Sequence, residues 1–166
     1  NGVFTAADKT ASGTLTVSAG GTAVAVPVNV AGHVMALETF EGNFTSITST
    51  AAAVATAETR LDYVRYGRQS VQVVYDAAAS GTAGLVSTLA IPAGERYLSL
   101  WVYGDGSGNS LTATVADQTG AASDVLLTAL DFTGWKHVTA ALPENASAIR
   151  SFQLIYGGVE GKSSGT

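Results

Sequence analysis

The sequence predicts an all-β fold, an antiparallel β-sandwich, and three observations carry that expectation. Runs in which apolar and small polar residues alternate recur along the chain, bounded by Gly, Pro, Asn or Asp, as half-buried strands joined by turns require. No amphipathic stretch of helical period separates these runs, which argues against a βαβ architecture with a parallel sheet. The composition agrees: of 166 residues 46% are apolar, only 13% are charged and 19 are glycine, a small-residue mixture suited to strands and tight turns.

The elements follow in order. Val3-Phe4-Thr5 and Gly13-Thr14-Leu15-Thr16-Val17-Ser18 read as strands, and Gly20-Gly21 turns the chain into Thr22-Ala23-Val24-Ala25-Val26-Pro27-Val28-Asn29-Val30. Gly-Gly between two such runs makes a hairpin. Pro27 has no N–H for a ladder, which puts the second strand at an edge. Ala31-Gly32-His33 reads as a junction, so residues 1–34 form one segment and residues 35–166 another. The alanine-rich stretch 50–59 has no clear 3.6-residue period and reads as an irregular strand or loop. Strands are expected at 70–76, 97–103, 111–117, 137–142 and 151–156. Their period of two assigns faces. Leu98, Leu100 and Val102 share one side and Ser99, Trp101 and Tyr103 the other. Likewise Leu111, Ala113 and Val115 point inward, leaving Thr112, Thr114 and Ala116 on a smooth outer face from which aromatic rings project.

Several function classes are disfavoured. Eight Lys and Arg against 13 Asp and Glu give a formal charge of −5, and the basic residues are scattered, so the positive footprint needed for nucleic acid is missing. No apolar run approaches the length of a bilayer span. Without cysteine there is no thiol nucleophile, thiolate metal site or disulfide. The histidines are His33, in the junction, and His137, on a strand, which leaves a hydrolytic triad without a base in place. The carboxylates of Glu38, Glu41, Asp62, Asp76, Asp105, Asp117, Asp124 and Asp131 fall mostly in turns. The expectation is a protein that is not an enzyme. A chain that opens Asn1-Gly2-Val3-Phe4 also reads as a piece of something longer. In Asp105-Gly106-Ser107-Gly108-Asn109 oxygen donors occupy positions one, three and five, as in a calcium loop. Ser110 stands where that loop needs Gly and Ala116 where it needs Glu, so a tight glycine-rich hairpin is the better reading.

Leu100-Trp101-Val102-Tyr103-Gly104-Asp105-Gly106-Ser107-Gly108-Asn109-Ser110-Leu111, then Asp117-Gln118-Thr119-Gly120, then Leu130-Asp131-Phe132-Thr133-Gly134-Trp135-Lys136-His137-Val138 make an ordered set of motifs. With Phe40-Glu41 and Leu142-Pro143, this set resembles the galactose-binding-like jelly-roll carbohydrate-binding modules of bacterial cell-surface glycosidases, those of the phosphodiester-glycosidase type. The resemblance spans residues 37–156 and implies a jelly-roll sandwich. Residues 1–34 resemble the closing strands of a bacterial immunoglobulin-like domain. The modules end on a strand carrying an aspartate after a glycine-rich turn, whereas this chain stops at Gly161-Lys162-Ser163-Ser164-Gly165-Thr166. The closing strand is therefore expected to be absent. The resemblance also implies a structural calcium ion held by Glu41 with backbone carbonyls and that missing aspartate.

Sugars stack their C–H faces on aromatic rings while polar neighbours bond the hydroxyls. Trp101 and Tyr103 are the first candidates for such a site, with Tyr66, Arg68 and Gln72 as stacking or polar neighbours. The alternative for Trp101 is a covered core residue, and Trp135 reads as packing. The functional expectation is a carbohydrate-binding or spacer module of an extracellular or cell-surface bacterial protein, with a glycan as partner. The rival is a structural subunit of an extracellular filament or surface layer, assembled from copies of itself by β-strand exchange through residues 1–34. An open sheet edge in such a domain offers its unpaired backbone groups to another strand.

Overall fold

In the computed structural model the described residues are 11–30 and 35–166. Val3-Phe4-Thr5 and the Ala31-Gly32-His33 junction lie outside them. The chain divides into two compact units, Asn1–Ala36 and Leu37–Thr166.

Within the first unit, β1 (Ala11–Ala19) and β2 (Thr22–Val30) form an antiparallel hairpin in uninterrupted register from Ala11 opposite Val30 to Ala19 opposite Thr22. Gly20 and Gly21 both have positive φ, 58° and 83°, the turn whose twist matches the flanking strands and that only such residues adopt cheaply. Among the described residues this sheet has two strands, so Pro27 sits in an edge strand of it. Leu15, Val17 and Val24 are exposed, at 44%, 56% and 58%.

The second unit is an antiparallel β-sandwich. Its strands are β3 (Ile47–Thr48), β4 (Ala53–Glu58), β5 (Ser70–Asp76), β6 (Thr82–Ala90), β7 (Tyr97–Asp105), β8 (Ser110–Asp117), β9 (Ala122–Ala129), β10 (Thr133–Ala141), β11 (Ala146–Ile155) and β12 (Ser164–Gly165). A 3₁₀ turn, Leu61–Tyr63, is the one helical element among the described residues. Five strands in the order β3-β6-β11-β8-β9 make one layer. Facing it are two ladders, β12-β5-β4 and β7-β10. From β3 to β12 the chain changes layer between every pair of successive strands except β4 and β5, and β8 and β9, which is how a jelly roll is wound.

Two clusters fill the space between the layers. Leu89, Ile91, Ala113, Val115, Leu127, Val138, Ala140, Ala146 and Ile149 pack with Leu98, Leu100 and Val102 under β7 and β10. Ile47, Ala53, Tyr75, Ala77, Ala83, Leu85, Leu130 and Leu154 pack with Val73 under β4 and β5. The inward faces expected for 97–103 and 111–117 are thus the observed ones.

Three expectations need correction. The stretch 50–59 contains a regular strand, β4, whose alanines suit a close approach to the core: Ala53 is 1% exposed. Trp101 and Tyr103 do not rise from the outer face of the Thr112 strand, because β7 and β8 belong to different layers, and Thr112 and Ala116 are themselves buried. For the same reason Asp105–Asn109 is not a hairpin loop; it carries the chain from one layer to the other.

Candidate functional site

A concave feature lies between β5 and β7. Among the described residues β7 pairs on one side only, with β10, and β5 pairs along its length with β4, while on its other edge it meets only Ser164 and Gly165 of β12. Between them runs a cleft of about 420 Å³, walled by Ser70, Val71, Gln72 and Val73 on one side and Leu100, Trp101, Val102 and Tyr103 on the other, with Thr166 also lining it. Its floor is the second core cluster, including Ile47, Leu85, Leu130 and Leu154.

Backbone direction can be read from neighbouring hydrogen bonds. The Asp76 N–H donates to Ala52 O on the β4 side, and the Ala77 N–H to Ser163 O on the opposite side. Alternation therefore turns the N–H and C=O of Tyr75, Val73 and Val71 toward the cleft. On β7 the Gly106 N–H donates to Phe132 O and Arg96 O accepts from the Leu142 N–H, both on the β10 side. Alternation then turns Tyr103 and Trp101 toward the cleft. The facing residues of β5 have inward side chains and those of β7 outward ones. A single strand between them, antiparallel to β12's partner β5, meets both requirements at once, since its inward residues bond one wall and its outward residues the other.

A polar latch holds one end of the cleft. The Tyr75 hydroxyl donates to Asp105 Oδ2 at 2.7 Å and accepts from Asn109 Nδ2 at 2.9 Å. Asn109, fully buried, also donates to Lys162 O at 2.8 Å and accepts from the Gly157 N–H at 3.0 Å. The loop closes on itself through the Ser107 N–H to Asp105 Oδ1, 3.0 Å. Thus Asp105–Asn109 clamps residues 157–165 and aims Ser164-Gly165 into the cleft. Gly165 has to be glycine there: a Cβ would stand 2.7 Å from the Tyr75 hydroxyl. Burial pushes the Tyr75 phenol above its ordinary value of 10. At the other end Glu58, 7% exposed, receives Arg60 Nε at 2.9 Å along with its terminal nitrogen; that pairing holds its carboxyl down to about 2.

An aromatic strip follows β7 along the rim of the cleft, with Tyr63, Trp101, Tyr103 and Trp135 among the residues lining it. Tyr66 meets Trp101 edge-on at 6.1 Å, Tyr63 meets Tyr103 at 4.9 Å, and Trp135 meets Tyr103 edge-on at 5.4 Å. The Arg65 guanidinium lies 4.4 Å over the Trp101 ring, and the His137 ring is 5.0 Å from it. Ser99 Oγ is 2.7 Å from His137 Nε2. Of the residues expected in a carbohydrate site, Trp101, Tyr103 and Tyr66 come together. Gln72 lines the cleft wall, and the Arg68 backbone N–H donates to Glu41 Oε1 at 2.8 Å. Sequence reasoning missed Arg65 and Tyr63 altogether, and set Trp135 and His137 aside; the alternation Trp135, His137, Thr139 opposite Tyr103, Trp101, Ser99 was the signal available.

Around Glu41, the Gln69 amide nitrogen donates to Phe40 O and, at 2.6 Å, to Gly42 O. One carboxylate and two carbonyls offer at most four oxygens, where calcium takes six to eight, so the described residues fit the ion in part. No group of three or more His, Cys, Asp or Glu among the described residues is placed to hold a metal. No described helix is long and apolar enough to cross a membrane.

No curated protein and no solved structure matches the chain. A family model described as flagellar filament outer layer protein FlaA does match, over residues 60–156, a stretch that runs from the Arg60 end of the cleft through both of its walls to the last residue before the clamped tail. That match covers more than half of the sequence, and the chain belongs to the flagellar filament outer layer protein FlaA family.

Proposed function

We propose that this chain is a non-catalytic structural subunit of the outer layer of an extracellular filament, joined to neighbouring copies by β-strand exchange through residues 1–34. The observation that carries this reading is the match to the filament outer layer family over residues 60–156, the region that holds both walls of the cleft between β5 and β7. Backbone groups facing an apolar cleft are satisfied by another strand without new side-chain chemistry. A strand donated head to tail propagates into an open filament. The family also supports an extracellular or surface location. Light scattering and electron microscopy on the intact chain, and on one lacking residues 1–34, test it. Polymers from the intact chain alone are expected; monomers from both would remove the reading.

A second reading is favoured by one observation, the half-exposed strip of Tyr66, Trp101 and Tyr103, which suits a polysaccharide of the kind bound by galactose-binding-like modules. Titration of polysaccharides against the intact chain and Trp101→Ala decides it. Binding that the substitution weakens at least tenfold supports a glycan site; equal affinity, or none, eliminates it.

A further inference from the structure

We propose that Arg65, stacked on the aromatic strip of β7, makes that strip a site for an acidic polysaccharide, with the guanidinium binding a carboxylate borne by the sugar. The inference rests on the glycan reading and names the chemical class of its ligand. It starts from how Arg65 is held. The guanidinium lies 4.4 Å over the Trp101 ring and 5.3 Å over the Tyr66 ring. An exposed arginine ordinarily samples many rotamers, whereas these rings fix the plane of the fork and leave its N–H edges free. Among the described residues it makes no hydrogen bond and no ion pair. The neighbouring cation differs: Arg60 is bonded to Glu58 and has Asp62 close by. Arg65 is thus an oriented, unpaired fork, the group that takes a carboxylate through two parallel bonds.

The surroundings say what carries the carboxylate. Arg65 covers one face of the Trp101 indole and the His137 ring approaches to 5.0 Å, so Trp101 serves as the platform for the cation. Open ring surface remains on Tyr66 and Tyr103, which are 66% and 40% exposed and suit the C–H faces of a sugar. The hydroxyls of Ser99 and Thr139 lie on the same exposed face, 3.5 Å apart, with Ser99 Oγ 2.7 Å from His137 Nε2. From Ser99 to Tyr103 the strand runs about 13 Å, room for a chain of rings. A simple anion would use the cation alone. Rings, hydroxyls and an oriented cation on one face fit a polymer of acidic sugars.

Alginate, hyaluronate and polygalacturonate, each beside its carboxyl-reduced neutral form, are titrated calorimetrically in the presence of chelator against the intact chain, Arg65→Gln and Arg65→Lys. At least one acidic polymer is expected to bind, and reduction of its carboxylates to weaken binding at least tenfold. Arg65→Gln is expected to lose the same factor for the acidic form and nothing for the neutral one. Arg65→Lys, which keeps the charge without the fork, recovers part of the loss and carries the comparison should Arg65→Gln disturb the fold. Acidic and neutral forms bound equally, with Arg65→Gln silent, would overturn the inference and leave the glycan reading standing. No polymer bound in either form would sink both. An Arg65→Gln chain that binds every polymer as the parent does but no longer self-assembles would also overturn it, assigning the fork to a carboxylate of a neighbouring copy.

Discussion

Tyr75 reaches across the end of the cleft to Asp105, hydroxyl to Oδ2 at 2.7 Å, and so ties the C-terminal end of β5 to the last residue of β7. The two strands share no ladder, and this bond together with the Asn109 latch sets their spacing where Gly165 passes between them.

Tyr75→Phe removes that tie and strips Asn109 Nδ2 of one acceptor. The expected cost is about 2 kcal/mol, the range for a hydrogen bond to a charged group in a largely buried site. The raised phenol adds a pH signature. The unfolded chain ionises Tyr75 near 10 and the folded chain higher, so stability is complete below pH 10 and falls as pH rises through the folded value. Denaturant melts of both proteins between pH 8 and about 11.5 measure it, and the Phe variant is expected to lose the part of the alkaline slope that comes from Tyr75.

Asn109→Ala leaves the Gly157 N–H and Lys162 O without their buried partner, at about 2–4 kcal/mol. Residues 157–165 are expected to come loose before the sandwich unfolds. Limited proteolysis shows it: cleavage after Lys162 at a rate tenfold or more above the parent chain, with β11 still protected.

Acid has a separate target. Arg60 holds the Glu58 carboxyl at about 2, against an ordinary 4.5, so its contribution to stability is whole above pH 4.5 and is lost as pH falls from there toward 2. Melting midpoints of the parent chain are expected to drop through that window, and Arg60→Gln to drop less steeply. Parallel curves for the two proteins would show that the pair does not carry the effect.

Calcium is tested by melting as well. An ion held at Glu41 with the Phe40 and Gly42 carbonyls would raise stability by about 2.7 kcal/mol at a hundredfold excess over Kd. Identical midpoints with calcium and with chelator would remove the ion.

Much of the fold was legible because its strands alternate. Leu98, Leu100 and Val102 declare an inward face by period alone, and Gly20-Gly21 declares the hairpin. Strands β6 and β9 were passed over: Gly84 interrupts the pattern of the first, where a Cβ would press on Phe152 O at 3.0 Å, and Asp124 stands near the start of the second, bonded to Thr114. Which strands share a layer was not legible, since the crossing at Asp105–Asn109 has the glycines of a hairpin loop. The aromatic strip was half visible. Trp101 and Tyr103 follow from alternation, but Arg65 and Tyr66 reach them from an irregular segment after the Leu61–Tyr63 turn that no periodicity describes. The cleft is a property of two strands far apart in sequence, and no local pattern reports a gap between them.

Amide hydrogen exchange at Val71, Val73, Trp101 and Tyr103, compared between monomer and assembled chain, tests the central claim most directly. These backbone groups face the open cleft from opposite walls. The account predicts fast exchange at all four in the monomer and protection of at least a hundredfold on assembly, with Val74 and Val102, already paired with β4 and β10, nearly unchanged. Assembly that leaves the four amides exchanging at monomer rates would contradict it.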